Sequence, residues 1–178
     1  MQRSPSGDTG TFAARLFSEH GAAVRQYLRR AIRAGDTADD LSQEVFLRVV
    51  RGAGRYEPRE RERAWVFRIA HNVLLDHRRR QGRSREDHVD VEAAAPATQV
   101  VKTDLDRALA GLPEDEREAF LLGEIGGLTY AEIAATTRTT VPAVRSRIYR
   151  ARLALRAKLI APAPLASGAR VLDEDDER

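Results

Sequence analysis

Residues 127–156 read GLTYAEIAATTRTTVPAVRSRIYRARLALR, and this stretch decides the fold. Thr129 followed by Glu132 is a capping box, in which hydroxyl and carboxylate exchange hydrogen bonds with each other's backbone N–H groups. It predicts a short helix from Tyr130 to Ala135. A turn of about five residues then leads to a long helix from Val141 to Leu159. In that helix Val144, Ile148, Ala151, Leu155 and Leu159 are spaced 4, 3, 4 and 4 apart, which places them on a single stripe. Pro142, Ser146, Tyr149 and Arg150 lie opposite, flanked by Arg145 and Arg147. Short helix, tight turn and second helix are the parts of a helix-turn-helix. From Arg138 to Ile160 there are seven bases and no acid. A merely solvated helix interleaves both signs to gain i, i+4 pairs, so the one-sided charge favours a polyanion. Arg forks onto guanine O6 and N7, Ser and Tyr reach phosphates or bases, and the helix N-terminus offers N–H donors.

Outward from this unit, strand signals are nearly absent and i, i+3, i+4 apolar spacing recurs, so the fold class is all-α. Upstream, Leu105, Leu109 and Leu112 precede Pro113 at a helix start, with Phe120, Leu121 and Ile125 following and Gly126-Gly127 closing the helix. Phe12, Leu16, Val24, Leu28 and Ile32 mark one or two helices with Gly21 as a break. Leu41, Val45, Phe46 and Val49 mark another, opened by Thr37 and Asp40 and stopped by Gly52 and Gly54. A further helix carries Trp65, Ile69 and Val73 and ends in Arg78, Arg79 and Arg80. Glu86 to Lys102 is rich in Ala, Pro, Thr and acids and reads as a linker. The expected organisation is therefore a disordered N-terminus at 1–10, a helical domain at 11–81, a flexible linker at 82–103, a second helical domain at 104–160, and a disordered tail at 161–178.

The chain of 178 residues has 30 Lys and Arg against 27 Asp and Glu, a net charge of +3. Five of the acids fall in Asp173–Glu177, and the first 170 residues hold 29 bases against 22 acids. A basic body with an acidic tail points to nucleic acid. The tail follows the basic helix closely enough, roughly 20 Å of flexible reach, to fold over Arg145, Arg147 and Arg150. With no cysteine there is no disulfide framework, thiol nucleophile or zinc finger. The first ten residues lack a signal-peptide core, and no run approaches the roughly 20 apolar residues of a membrane span, so a cytoplasmic protein without membrane contact is expected. His71, Asp76 and His77 are the only cluster resembling a metal site. The two histidines are six positions apart, about 120° around a helix, with no third ligand at a sensible spacing. No nucleophile–base set and no phosphate-cradling glycine loop appears. No catalytic residue, metal or cofactor is expected, and the chain is not read as an enzyme.

The segments LPEDEREAFLLGEIGGLTYAEIA and residues 127–156 resemble region 4 of the sigma-70 family, specifically its small extracytoplasmic-function (ECF) members. DDLSQEVFLRVVRG resembles region 2.2, and RAWVFRIAHNVLLDHRRR resembles regions 2.3 and 2.4. The resemblance covers roughly residues 12–160, with two domains in the family order and a linker in place of a middle domain. The alternative, a response-regulator output domain with the same helix-turn-helix, does not account for the N-terminal segments.

The resemblance implies a transcription initiation factor that binds RNA polymerase core and directs it to promoters. Asp39, Asp40, Gln43, Glu44, Phe46 and Arg48 match the motif that docks on the clamp coiled coil of the largest polymerase subunit. The flap of the second-largest subunit is the other implied core contact. Tyr56, Arg59, Arg61, Trp65 and Asn72 would meet the single-stranded −10 element, with Arg78, Arg79 and Arg80 on duplex phosphates. Arg138, Thr140, Pro142, Arg145, Ser146, Arg147, Tyr149 and Arg150 would meet the duplex −35 element. The acidic linker, with Glu86, Asp87, Asp90 and Glu92, would thread the polymerase's nucleic-acid channels, and an anti-sigma factor is an implied partner. The chain departs from the family at the turn, where Thr137, Arg138 and Thr139 replace an apolar residue, a glycine and an Ile or Val.

Overall fold

In a computed structural model, residues 5–32, 37–57, 61–86 and 103–160 are described. Seven α-helices account for them: α1 (Pro5–Ala31), α2 (Thr37–Gly52), α3 (Glu62–Glu86), α4 (Asp104–Ala110), α5 (Glu114–Glu124), α6 (Tyr130–Thr137) and α7 (Val141–Ile160). A single 3-10 turn, Ala53–Arg55, joins α2 to the loop before α3. Among the described residues there is no strand. None of these helices is long and apolar enough to cross a membrane.

Helices α1, α2 and α3 form the N-terminal module. Leu16, Val24, Tyr27 and Leu28 of α1 meet Leu41, Val45 and Val49 of α2 and Val66, Phe67, Ala70 and Val73 of α3, all of them buried. Gly21 does not break α1. A mid-helix glycine costs only about 1 kcal/mol relative to alanine, less than the burial of the residues flanking it. Helix α1 also begins at Pro5, within the segment read as a disordered N-terminus, and α3 continues to Glu86, past the boundary placed at 82. The linker residues beyond Glu86 and the acidic tail lie outside the described residues.

Helices α4 to α7 form the C-terminal module around Leu109, Leu121, Leu122, Ile133, Val144, Ile148 and Leu155. Pro113 caps α5 and a chain reversal closes it. Gly127 has φ of 60°, and its N–H and that of Leu128 return to the carbonyls of Gly123 and Leu122. A left-handed glycine is the usual device for this ending.

The two modules pack on each other, and their buried apolar residues form one continuous cluster. Around it the contacts are polar. Arg78 of α3 donates to Glu114 at 2.6 Å and to Glu118 at 3.3 Å, both on α5. His71 Nδ1 lies 3.1 Å from Glu118 Oε1 but makes no aligned hydrogen bond there. Arg63 donates through Nη2 to the carbonyl of Ile125 at 2.9 Å, and through Nε to that of Gly126. A guanidinium on the last carbonyls of α5 complements the negative end of that helix. Arg61 pairs with Glu132 at 3.2 Å and Arg30 with Asp106 at 3.5 Å. The fit is incomplete: the buried hydroxyl of Tyr27 has no hydrogen-bond partner among the described residues. Such an orphan costs about 1–3 kcal/mol. Burial, with Glu118 nearby, pushes that phenol well above its ordinary range.

Candidate nucleic-acid interface

The helix-turn-helix is built as its sequence dictates. The Thr129 N–H donates to Glu132 Oε2 at 2.7 Å, and the Glu132 N–H donates to Thr129 Oγ1 at 3.3 Å. This box starts α6, which runs two residues further than expected, to Thr137. The turn is correspondingly short. Arg138 closes α6 at φ 52°, ψ 46°, in the left-handed region where a glycine is at ease and an arginine is strained by about 1 kcal/mol. Thr140 then accepts from the Ala143 N–H at 3.3 Å, capping α7.

On α7, Val144, Ile148, Ala151 and Leu155 are buried as the stripe predicts. Leu159 is not: it is 45% exposed, because the last turn of α7 runs past the helices that cover the rest of the stripe. The opposite face is open. Arg138, Thr140, Pro142, Arg145, Ser146 and Tyr149 are all exposed, Tyr149 at 68%. The cations fall into two groups. Among the described residues no carboxylate pairs with Arg138 or Arg145. Arg147 instead holds Asp115 at 3.0 Å and Arg150 holds Glu116 at 2.6 Å, both at the start of α5. Arg152 pairs with Glu124 at 2.7 Å, which raises its already high pKa further.

The N-terminal module carries a second basic surface. Asn72, Arg79 and Arg80 are exposed on α3, Arg79 lying 3.7 Å from Asp76 and Arg80 donating to the Asp76 carbonyl at 3.3 Å. Arg61 and Arg78 face the C-terminal module and are held by its carboxylates. Trp65 is only 8% exposed. Its ring lies 5.2 Å from that of Tyr56 and 6.4 Å from that of Phe12, so the indole is a support beneath the loop and not a free surface for a base. Tyr56 is half-buried at the edge of this cluster. Arg15, stacked over Phe12, makes a bidentate pair with Glu62 at 2.8 and 2.7 Å that ties α1 to the start of α3. This pair holds the Glu62 carboxyl below its ordinary range. Arg59 lies outside the described residues.

The docking motif on α2 is partly a surface and partly an internal brace. Asp39, Asp40 and Gln43 are exposed, with Asp39 2.9 Å from Arg25. Arg48 is clamped between Asp76 at 2.8 Å and Glu44 at 2.7 Å, which raises its pKa. Phe46 is 8% exposed and meets Phe17 edge-on at 4.8 Å, so it packs beneath the surface. Sequence reasoning passed over the apolar residues that do face outward, Leu47 (51% exposed) and Val50 (53%), with Phe17 (56%) on α1. Asp40, Gln43, Leu47 and Val50 repeat at 3, 4 and 3, the spacing of a coiled-coil seam. That signal was legible, but the stronger stripe through Leu41, Val45 and Val49 on the same helix obscured it.

His71 is buried against Glu118, and Asp76 is engaged by Arg48 and Arg79. Among the described residues no group of three or more His, Asp or Glu is placed to hold a metal ion.

An acid-free helix with an open face on a capped helix-turn-helix, beside a second helical module with its own basic face, is the architecture of a helix-turn-helix protein of the DNA-binding class. Residues 16–84 match the family described as Sigma-70 region 2, and residues 102–155 match Sigma-70, region 4. The chain belongs to the sigma-70 family, in its ECF group, and is a transcription initiation sigma factor.

It is 36% identical over 157 residues to the RNA polymerase sigma factor CarQ of Myxococcus xanthus, a match covering 84% of this chain and 90% of that one. It is 38% identical over 152 residues to the ECF RNA polymerase sigma factor SigE of Mycolicibacterium smegmatis; that match covers 79% of this chain and only 59% of the longer relative. Among solved structures, the sigma factor RpoE from Bartonella quintana, in complex with the anti-sigma factor NepR, superposes with a TM-score of 0.72 at 26% identity. That superposition covers 84% of this chain and 98% of RpoE. CnrH in complex with the cytosolic domain of CnrY gives a TM-score of 0.65 at 26% identity, over 89% and 96% of the two chains.

Proposed function

We propose that the C-terminal module reads the duplex −35 element through Arg138, Thr140, Pro142, Arg145, Ser146 and Tyr149, with Arg147 and Arg150 joining as their carboxylate partners yield to phosphates. The observation that carries this is the open face of α7, where the exposed Arg145 guanidinium, unpaired among the described residues, stands with Ser146 and Tyr149 in the N-terminal half of a capped helix. Arg145 is the candidate for base readout, and Arg138 at the turn for the backbone. The N-terminal module takes the −10 element. Tyr56, Arg61 and Asn72 line the start and outer side of α3, and Arg78, Arg79 and Arg80 supply phosphate contacts at its far end. Opening a duplex requires a stacking surface and cations for the released strand; Tyr56, at the edge of the Phe12 and Trp65 cluster, is the candidate for the first, and Arg61, once Glu132 yields it, for the second.

Helix α2 docks on polymerase core. Its outward row of Asp40, Gln43, Leu47 and Val50 has the periodicity to lie along a coiled coil, with Asp39 at the rim and Arg48, Glu44 and Phe46 keeping the helix rigid beneath. The corresponding domain limits are a −10 and core-binding module from α1 to the end of α3 at Glu86, a tether at 87–102 and a −35 module at 103–160. An anti-sigma protein is a natural further partner, because two solved relatives are recorded in complexes of that kind or with a cytosolic partner domain. No step in this reading calls for a catalytic residue of the chain itself.

Run-off transcription with core polymerase on a promoter library is the test. The expected result is RNA with defined start sites only when protein and core are both present. A protein that binds duplex DNA unaided yet supports no promoter-dependent synthesis would overturn the reading.

A further inference from the structure

We propose that residues 161–178 dock on the outward face of α7, with Leu165, Val171 and Leu172 along an apolar row there and the acids Asp173–Glu177 on Arg145 and Arg138, so that this segment competes with DNA for the −35 surface. The inference rests on the −35 reading above and gives that surface an occupant from within the chain.

Three observations carry it. The first is a second stripe on α7. Opposite the buried Val144, Ile148, Ala151 and Leu155, an outward row runs through Tyr149, Leu153, Ala157 and Ile160 at spacings of 4, 4 and 3. Leu153 is 56% exposed and Ile160 71%. A recognition helix meets base edges with its N-terminal residues. The groove therefore has no use for two large apolar side chains one and three turns beyond Tyr149. Covering them favours an occupant other than DNA.

The second is charge. Among the described residues no carboxylate pairs with Arg145 or Arg156 beside the row, or with Arg138 at the turn. Five carboxylates stand in succession at Asp173–Glu177. Carboxylate and phosphate oxygens both accept from a guanidinium, so the same arginines serve either. Each exposed pair is weak alone. Attachment to the same chain supplies the local concentration that lets several act together.

The third is order and reach. Pro162 and Pro164 follow Ile160 and do not continue a helix. Back along α7 from its end, the outward face presents Ile160 and Ala157, then Leu153 and Tyr149, then Arg145 and, at the turn, Arg138. The segment offers the matching succession: Leu165, then Val171 and Leu172, then the acids. From Ile160 back to Arg145 the helix covers roughly 22 Å at 1.5 Å per residue. The stretch from Leu165 to Asp173 reaches up to about 30 Å at 3.3 Å per residue, which leaves residues 161–164 for the reversal. A second copy of the chain could also cover the row, but it would not require apolar and acidic residues to stand in the order that α7 presents.

The test uses the full chain, which has no cysteine, so Ala169→Cys gives a single site for a nitroxide. In isotope-labelled protein at low salt the nitroxide should broaden the backbone amide signals of Arg138–Tyr149, and added salt should weaken that effect. Amides of Lys158–Ile160, close to the label through the chain itself, should stay broadened throughout. Two variants should relieve the broadening at Arg138–Tyr149. One converts Asp173, Glu174, Asp175, Asp176 and Glu177 to their amides, and the other is Leu153→Gln with Ile160→Gln, at exposed positions where the fold is not at stake. With core polymerase bound, the amide variant should hold promoters recovered from the run-off library at least about fivefold more tightly than wild type at low salt, the low end of ordinary coupling between sites. Sharp Arg138–Tyr149 signals in the wild-type sequence, or unchanged broadening in either variant, overturn the docking. Broadening passed from a spin-labelled chain to a separate isotope-labelled one assigns the row to a second copy and overturns it too. Equal promoter binding by wild type and amide variant overturns the competition. Failure of both proteins to protect the upstream duplex counts against the −35 reading alone, because the broadening is read without DNA.

Discussion

The two basic surfaces of this molecule are built from the same residue type and differ in what holds it. At the turn before α7 and on α7 itself, Arg138 and Arg145 are exposed with no carboxylate partner among the described residues, and Arg147 and Arg150 lean on carboxylates of their own module. On the N-terminal module, Arg61 and Arg78 are held by carboxylates of the other module. The difference shows that a count of arginines does not measure a DNA-binding surface. What matters is the anion each guanidinium already has, and whether giving it up disturbs a helix or separates two modules.

The sharpest way to probe this contrast is Arg145→Ala. Losing an exposed guanidinium that has no carboxylate partner among the described residues should weaken −35 binding by the polymerase-bound protein by about 1–3 kcal/mol, roughly 5- to 150-fold, in fluorescence anisotropy. Arg147→Ala should cost less, under about 1 kcal/mol, because Asp115 already neutralises that side chain. The converse variant, Asp115→Ala with Glu116→Ala, should tighten duplex binding by freeing both arginines, and equal losses at 145 and 147 would erase the distinction between them.

The frame beneath the open face is tested next. Thr129→Ala removes half of the capping box and should destabilise the C-terminal module by about 1 kcal/mol, seen as a drop of several degrees in its melting temperature. Arg138→Gly should act in the opposite direction, stabilising the turn by up to about 1 kcal/mol as the left-handed strain is relieved, while removing one cation from the DNA face. Greater stability combined with weaker duplex binding is the expected signature.

The smallest effect is one of pH and belongs to the N-terminal module. Burial, with Arg63 nearby, lowers the pKa of His20 below the ordinary value of 6.5. The folded state therefore resists a proton that the unfolded chain accepts. The contribution is intact above about pH 6.5 and is lost as pH falls below it. The melting temperature should decline on acidification, and His20→Gln should flatten that decline.

Much of this was legible in the sequence. The first four residues of the five-residue α7 stripe and the Thr129–Glu132 box are local patterns, set by helix period and by side chains reaching their own backbone, and these appear as expected. Gly21 shows where local rules yield, since tertiary burial on either side carried α1 through it. Leu159 shows the opposite limit: periodicity names a face but not where the covering helices stop. The pairing of Arg147 with Asp115 and of Arg78 with Glu118 joins residues more than 30 positions apart, and no spacing rule reports it. Trp65 and Phe46 lie on apolar stripes in the sequence and gain a contact role only from the family resemblance; in the structure each completes a cluster with partners from another helix.

The division of labour between the two surfaces is tested most directly by permanganate reactivity of promoter thymines, read together with protection of the upstream duplex, in the presence of core polymerase. With the wild-type protein, a short downstream patch should become reactive and the upstream element protected, both only when protein and core are present. Arg145→Ala should lose the upstream protection first, and Arg61→Ala with Asn72→Ala the downstream reactivity. Upstream protection by the protein alone, with no unpaired thymines when core is added, would contradict the account.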